Sequence, residues 1–250
     1  MVQPTFFDQE GIAELVQLPG ASGGHLLDWL NHGHYAAKEY SADKPYTLIS
    51  EYISADIASL LGLPIPARQI IPFRGKKMLG FEWRGDAKSF EPGMEIKLTN
   101  ANAIPGMLAF DVLLGNRDRH RGNVLFQRPS PNLDRYTFYL IDHSHALIGD
   151  MPDMETFTQF LEQHNDPTPF LQAAPEQLRA LVSDWADFDP WLAKIESLTG
   201  TNLHNILVGI PSEWIPHQGD CSLIIDFLLA RKNRVRHLLV DGRLYFPKLR

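Results

Sequence analysis

An aspartate, an asparagine five positions later and a second aspartate closing an apolar run constrain this chain more than any other feature. They are Asp118 and Asn123, within Leu114-Gly115-Asn116-Arg117-Asp118-Arg119-His120-Arg121-Gly122-Asn123, and Asp142, which ends Tyr136-Thr137-Phe138-Tyr139-Leu140-Ile141. The apolar segment Ile104–Leu114 reads as a helix with Pro105 in its first turn. Residues 124–127 and 136–141 read as strands flanking a polar turn. A polar loop pinned between packed helix and strand is a rigid shelf for reactive groups. These side-chain types are what phosphoryl transfer requires: a base for a hydroxyl proton and oxygen ligands for a divalent cation. That chemistry depends on donors and metal placed around developing charge.

Each residue also has an ordinary explanation. Asp118, worth roughly 10²–10⁴ in rate as a general base, would otherwise cap its loop as an Asx turn. Asn123 offers a hard amide oxygen suited to magnesium, or is a turn residue after Gly122. Asp142, at the end of a buried strand, needs a partner; magnesium is one, and a salt bridge to Arg119 or Arg121 is the other. Lys38, in Tyr35-Ala36-Ala37-Lys38, would contact the α- and β-phosphates, with Glu51 on the following helix holding it. Taken singly, both default to surface charges. Glu51 lies off the stripe of Ile49, Ile53, Ile57 and Leu60 and in line with Ala55 and Ala58. A face of small residues implies close approach to a neighbour. Gly20, Ser22, Gly23 and Gly24 precede the first expected strand. Glycines let successive amides cradle a phosphate, although a plain turn explains the cluster as well. Glu82, in Gly80-Phe81-Glu82-Trp83, falls where two halves of the chain would join. Its backbone would meet an adenine edge there; a core strand accounts for the same residues.

The rest of the pattern is consistent with two lobes. Strands at 25–31 and 34–40 turn at His32-Gly33, and the helix Thr47–Leu61 is stopped by Gly62 with Pro64 and Pro66 behind it. Strands at 68–73 and 78–83 follow, then a polar linker at 84–102. Helices are expected at 154–164, 175–185, 190–199, 221–230 and 232–240. The predicted class is α+β: a small β-rich N-terminal lobe over residues 1–83, and a mainly helical C-terminal lobe over 84–250 carrying the catalytic loop and metal site.

Composition narrows the partners. A net charge of -7 disfavours direct nucleic-acid binding, and the basic run 231–236 reads as a solvated helix face. The single cysteine, Cys221, excludes an internal disulfide and fits a reducing compartment. The first residues show no signal-peptide pattern, and no apolar run approaches the ~18 residues of a membrane span. The expected setting is cytoplasmic, without a membrane.

The loop 115–123, Ile141-Asp142-His143, and Ser50-Glu51 followed by Leu61-Gly62-Leu63-Pro64-Ile65-Pro66 together resemble the HipA-like kinase family. The last segment is similar to that family's glutamate-bearing helix ending in a Gly-Leu-Pro-x-Pro turn. The loop also resembles the Asp-Arg-His-x-x-Asn loop of phosphatidylinositol kinases. The resemblance covers residues 18–147. It implies a two-lobed protein-kinase-like fold, ATP and Mg2+, and transfer of the γ-phosphate to a hydroxyl. The implied acceptor is a serine/threonine-type protein or the chain itself, and an antitoxin-like protein partner goes with the family. On this match Asp118 is the base, Asn123 and Asp142 the metal ligands, and Lys38 the phosphate contact. The chain departs from the pattern in being shorter than full toxin kinases, with no sign of their extra N-terminal subdomain. It also carries Asp142-His143-Ser144 where protein kinases have Asp-Phe-Gly. Rival readings are a metal-dependent phosphohydrolase using His120, Asp142, His143 and His145, a non-catalytic kinase-like nucleotide-binding module, and a lipid kinase, which the net charge does little to support.

Overall fold

The computed structural model describes residues 11–18, 24–163, 166–217 and 219–249. Gly20, Ser22 and Gly23 lie outside the described residues, and Gly24 opens a strand. Strands β1 (Ile12–Leu18), β2 (Gly24–Trp29), β3 (Gly33–Lys38), β4 (Arg68–Phe73) and β5 (Lys76–Glu82) form an antiparallel sheet in the order β1-β2-β3-β5-β4. The β4–β5 turn is Arg74-Gly75, with φ of 51° and 76°. Paired left-handed residues give the two-residue turn whose twist matches a hairpin. Alternation along β3 sends Tyr35 and Ala37 into a small apolar cluster with Ile12, Leu27, Ile71, Phe73 and Met78. Lys38 therefore points to the other face. Register pairs Lys38 with Gly24 on one side and Leu79 on the other, and Tyr35 with Glu82.

Helix α1 (Thr47–Leu61) follows β3 and is buried almost all round, including Ser50, Glu51 and Ser54. A helix buried on every face sits inside a core rather than against one. Gly62, at φ 75°, closes it with N–H bonds to Ala58 and Ser59, and Lys194 Nζ donates to the Leu61 carbonyl at 2.6 Å. The Leu63 to Pro66 segment leads back to β4, and the Leu140 N–H donates to the Pro64 carbonyl at 2.8 Å.

The segment expected as a linker is ordered. It contains β6 (Lys88–Ser89) and two short 3-10 turns, and Asn100 bonds both backbone groups of Phe138 at 3.1 Å. Then come α2 (Ile104–Leu114), β7 (Val124–Gln127) and β8 (Thr137–Leu140); β6, β7 and β8 form a second antiparallel sheet. All residues of α2 are buried. Around it pack members of the remaining set: α3 (Met154–Gln163), α4 (Thr168–Ala173), α5 (Glu176–Arg179), α6 (Asp189–Glu196), α7 (Gly200–Val208), α8 (Asp220–Lys232) and α9 (Val235–Asp241). The mixed α+β class, with an N-terminal sheet and a helical C-terminal part, is as expected.

Local details differ from the sequence pattern for identifiable reasons. The helix expected at 175–185 ends at Arg179. Asp184 instead caps the next turn, its side chain accepting the Ala186 N–H while Asp187 reaches back to the Asp184 N–H. Such reciprocal caps start elements rather than continue them. Thr199 and Asn202 do the same for α7, which ends the preceding helix at Glu196. Strand β1 went unpredicted because a bulge between Glu14 and Val16 breaks its alternation.

One buried ion pair fixes the polar loop after α2. Asp111, within α2, and Arg119 are both fully buried. Arg119 Nε donates to Asp111 Oδ2 at 3.0 Å, and its Nη1 donates to the carbonyls of Asn123 at 2.8 Å and Ile141 at 3.0 Å. Asn116 Nδ2 donates to Asp111 Oδ1 at 2.7 Å, and Asn116 Oδ1 accepts the Asp118 N–H at 3.1 Å. Helix, loop and the end of β8 are thereby held in one register.

Two substitutions test this architecture. Removing one member of a buried pair leaves an uncompensated charge, worth about 3–5 kcal/mol. Arg119→Met should lose that much stability in urea unfolding; a loss under ~1 kcal/mol would show the pair to be dispensable. A Cβ added at Gly106 in α2 would stand 2.3 Å from the Trp191 ring. Alanine gains about 1 kcal/mol in helix propensity, but overpacking against a rigid indole costs about 1–3 kcal/mol. Gly106→Ala should therefore lower the melting temperature; a rise would mean that the interface yields.

Candidate active site

A cleft of about 430 Å³ opens where β3, α1 and the end of β5 face the loops after α2 and β8. Lys38, Glu51, Glu82, Asp118, Asn123 and Asp142 all line it, as does Gly24. The geometry behind each position can be traced to the elements above.

Lys38 leaves the last residue of β3 and forms ion pairs with Glu51 and with Asp142, the latter at 2.9 Å. Glu51, fully buried on α1, also accepts the His143 N–H at 3.1 Å. One carboxylate thus ties the sheet lysine to the loop after β8. The Asp142 partner is Lys38, while Arg119 is committed to Asp111. Burial works to lower the Lys38 pKa, but the Glu51 and Asp142 carboxylates outweigh it and hold the ammonium above its ordinary range. Burial likewise works to raise Asp142, yet the Lys38 charge outweighs it and keeps this carboxyl well below the usual range. Burial pushes Glu51 up to about 7, against the pull of Lys38. Asp142 has φ 52°, in the left-handed region.

On the loop, Asn123 Nδ2 donates to the Asp118 carbonyl at 2.8 Å and to Asp118 Oδ2 at 3.0 Å. This leaves the amide oxygen of Asn123 available. His120 Nδ1 accepts the Gly122 N–H at 2.9 Å, so neutral His120 carries its proton on Nε2, which stands 3.7 Å from Asp118 Oδ1. Asp118 is partly exposed to the cleft and Asn123 is buried. The Asn123 carbonyl accepts the Ile141 N–H at 3.2 Å, linking the loop to the residue before Asp142.

The histidines of the phosphohydrolase reading engage different partners. His143 is fully buried, its ring edge-on to Phe110 with centroids 5.6 Å apart and neither ring nitrogen hydrogen-bonded to a described residue. Burial, helped by the Arg119 guanidinium, holds its pKa well below the ordinary value. His145 approaches Asp150 at 3.4 Å, and His120 approaches Asp118. Among the described residues, no three His, Cys, Asp or Glu side chains group as metal ligands. The oxygen donors that line the cleft, Asp142 and Asn123, suit a hard cation.

At the β5 end, the Glu82 N–H donates to the Ala67 carbonyl and the Trp83 N–H to the His34 carbonyl, each at 2.8 Å. The Glu82 carboxylate accepts from Arg84 Nη2 at 2.9 Å, and the Arg84 guanidinium lies 4.8 Å from the Tyr139 ring centre. The sequence pattern does not single out Arg84, Asp111 or Asn116, and it offers Arg119 only as a partner for Asp142, whereas Arg119 pairs with Asp111. Asp111 carried a signal: a lone carboxylate within an apolar helix must have a buried partner.

A family model described as HipA-like kinase matches residues 20–240. Among solved structures, the Helicobacter pylori proinflammatory kinase CtkA aligns with a TM-score of 0.64 and 17% identity, over 96% of this chain and 99% of that one. HipA of Shewanella oneidensis MR-1, solved with HipB and operator DNA, aligns with a TM-score of 0.50 and 13% identity, over 94% of this chain and 67% of that one. Identities this low speak for the fold alone. No curated protein matches the chain. The family match spans most of the sequence and agrees with the fold and with the loop motifs: this chain belongs to the HipA-like kinase family.

Proposed function

We propose that this chain is an ATP- and Mg2+-dependent kinase that transfers the γ-phosphate to a hydroxyl on a protein, or on the chain itself. The observation that carries the reading is the Lys38–Glu51–Asp142 cluster facing the Asp118–Asn123 pair across one cleft. Lys38, held as an ammonium, contacts the α- and β-phosphates. The adenine edge meets the backbone around Glu82, and Gly24, which lines the cleft, approaches the phosphates. Lys38 ends β3, and Glu82 on β5 pairs with Tyr35 of that strand. Three residues of strand separate these levels, about 10 Å, a span suited to a nucleotide. We place the boundary between the two lobes at residues 83 and 84.

Asn123 and Asp142 would hold magnesium, whose charge balances that of the phosphates when it is bound. Asp118 accepts the acceptor's proton as that oxygen bonds to the γ-phosphorus. The bond from phosphorus to the bridging oxygen breaks, and ADP leaves with the electron pair. The Asn123 amide fixes the Asp118 carboxylate for this role through its 3.0 Å bond. Because the HipA structure contains HipB, an antitoxin-like protein is the partner to seek. No helix among the described residues is long and apolar enough to cross a membrane, and we take the setting to be cytoplasmic.

The direct test is incubation with γ-labelled ATP, with and without cell extract, and identification of whatever is labelled. A melting shift with Mg-ATP but no transfer to any acceptor would indicate a binding module instead. Asp118→Ala should keep nucleotide binding while transfer falls by at least ~10²; undiminished transfer would remove Asp118 as the base. Asp142→Ala should abolish the rise in melting temperature that Mg-ATP gives the parent chain. An equal rise in both would remove its metal role.

A further inference from the structure

The two walls of the cleft carry matching levels. On the sheet wall Lys38 marks one level, and Glu82, opposite Tyr35, lies three residues of strand away. On the facing wall Asp142 meets Lys38 at 2.9 Å, and Tyr139 on β8 lies three residues before it, roughly 10 Å of extended chain. Arg84 joins the walls at the level far from Lys38. Its guanidinium lies 4.8 Å from the Tyr139 ring centre, and its Nη2 donates to the Glu82 carboxylate at 2.9 Å. Glu82 and Arg84 both line the cleft, with the apolar Ala36, Phe81 and Leu125. The N–H groups of Glu82 and Trp83 are spent on the Ala67 and His34 carbonyls, while the Arg84 N–H has no acceptor among the described residues. Of the Arg84 guanidinium nitrogens, Nη2 alone has an acceptor among the described residues, and Nε is also withdrawn from water. A buried donor without a partner is costly, and in the wall of a ligand cleft it calls for an acceptor that arrives with the ligand.

We propose that this cleft takes guanine nucleotides in addition to adenine nucleotides, and that Arg84 and Glu82 are the residues that admit them. The inference rests on the kinase reading, in which the phosphates lie at Lys38 and the base at Glu82. Arginine only donates and an ionised glutamate only accepts. Adenine sets its amino donor directly beside the N7 acceptor, so part of its edge is mismatched to a donor-only side chain. Guanine sets two acceptors, O6 and N7, side by side, a pair that an arginine fork matches. Next along the guanine edge stand the N1–H and 2-amino donors, which a carboxylate accepts. The bonded Arg84–Glu82 pair presents its donors and acceptor in that same order. The Tyr139 ring beneath the guanidinium supports it in place. GTP is then a second phosphoryl donor: the bond from its γ-phosphorus to the bridging oxygen breaks as the acceptor oxygen bonds, and GDP leaves with the electron pair.

The test titrates the whole chain with Mg-ATP and Mg-GTP while the melting temperature is followed. GTP should bind within ~10-fold of ATP. On the parent chain, the triphosphate of 2-aminopurine riboside, which lacks O6, should bind at least ~10-fold more weakly than GTP. Arg84→Met should move the ratio of GTP to ATP affinity at least ~10-fold against GTP, and Arg84→Lys, which keeps a donor, should move it less. GTP weaker than ATP by more than ~10-fold would overturn the proposal. So would 2-aminopurine binding equal to that of GTP, or an affinity ratio unchanged in Arg84→Met. In each of these cases a surviving shift with Mg-ATP would leave the kinase reading standing. The absence of a shift with either nucleotide would remove the kinase reading and the proposal with it.

Discussion

A guanidinium with no exposed surface organises the centre of this protein. Arg119 holds Asp111 of the central helix and the main-chain carbonyls of Asn123, itself a proposed metal ligand, and of Ile141, the residue before the other. Charges withdrawn from water seldom add stability over well-packed apolar groups. What such a pair adds here is register. Two segments distant in sequence, the loop of Asp118 and Asn123 and the end of β8 with Asp142, must face one space, and Arg119 bonds the Asn123 carbonyl of the first, the Ile141 carbonyl of the second and Asp111 of α2. The pair is useful because its geometry is directional, which apolar packing is not.

A second tie joins the sheet to the helical part. Glu51 is fully buried on a helix buried almost all round, so it cannot swing aside as a surface glutamate can. Its two oxygens are divided between Lys38 and the His143 amide. Moving α1 would break both bonds and disturb the core around it. The buried Ser50 adds a parallel link by accepting the Gly149 N–H at 2.9 Å. The position of α1 and the shape of the loop after β8 are therefore coupled.

Much of this was legible in the residues. Helices α1 and α2 and strands β4 and β7 have the bounds their apolar spacing and stop signals gave. Gly62 and Gly115 end their helices at left-handed φ, as glycines after periodic segments do. The cleft lining was legible because Lys38, Glu51, Asp118, Asn123 and Asp142 form a spaced set of reactive types. What could not be read was structure made by pairing across distance. Arg119 looked like one of several arginines in a polar loop, and only the fold shows that it faces Asp111. Strand β1 was hidden by its own bulge. The helix expected at 175–185 failed because Asp184 competes for local amides, an effect that periodicity ignores.

The backbone at Asp142 has a further consequence. Its φ of 52° places it where side chains other than those of glycine, asparagine and aspartate are rarely found. The position thus demands a short polar arm for conformational reasons and a negative charge to face Lys38. Aspartate meets both demands. Exchange to glutamate would lengthen the arm that faces Lys38 and carry a left-handed backbone cost of about 1–2 kcal/mol, so what looks like a requirement for charge is also a requirement for shape.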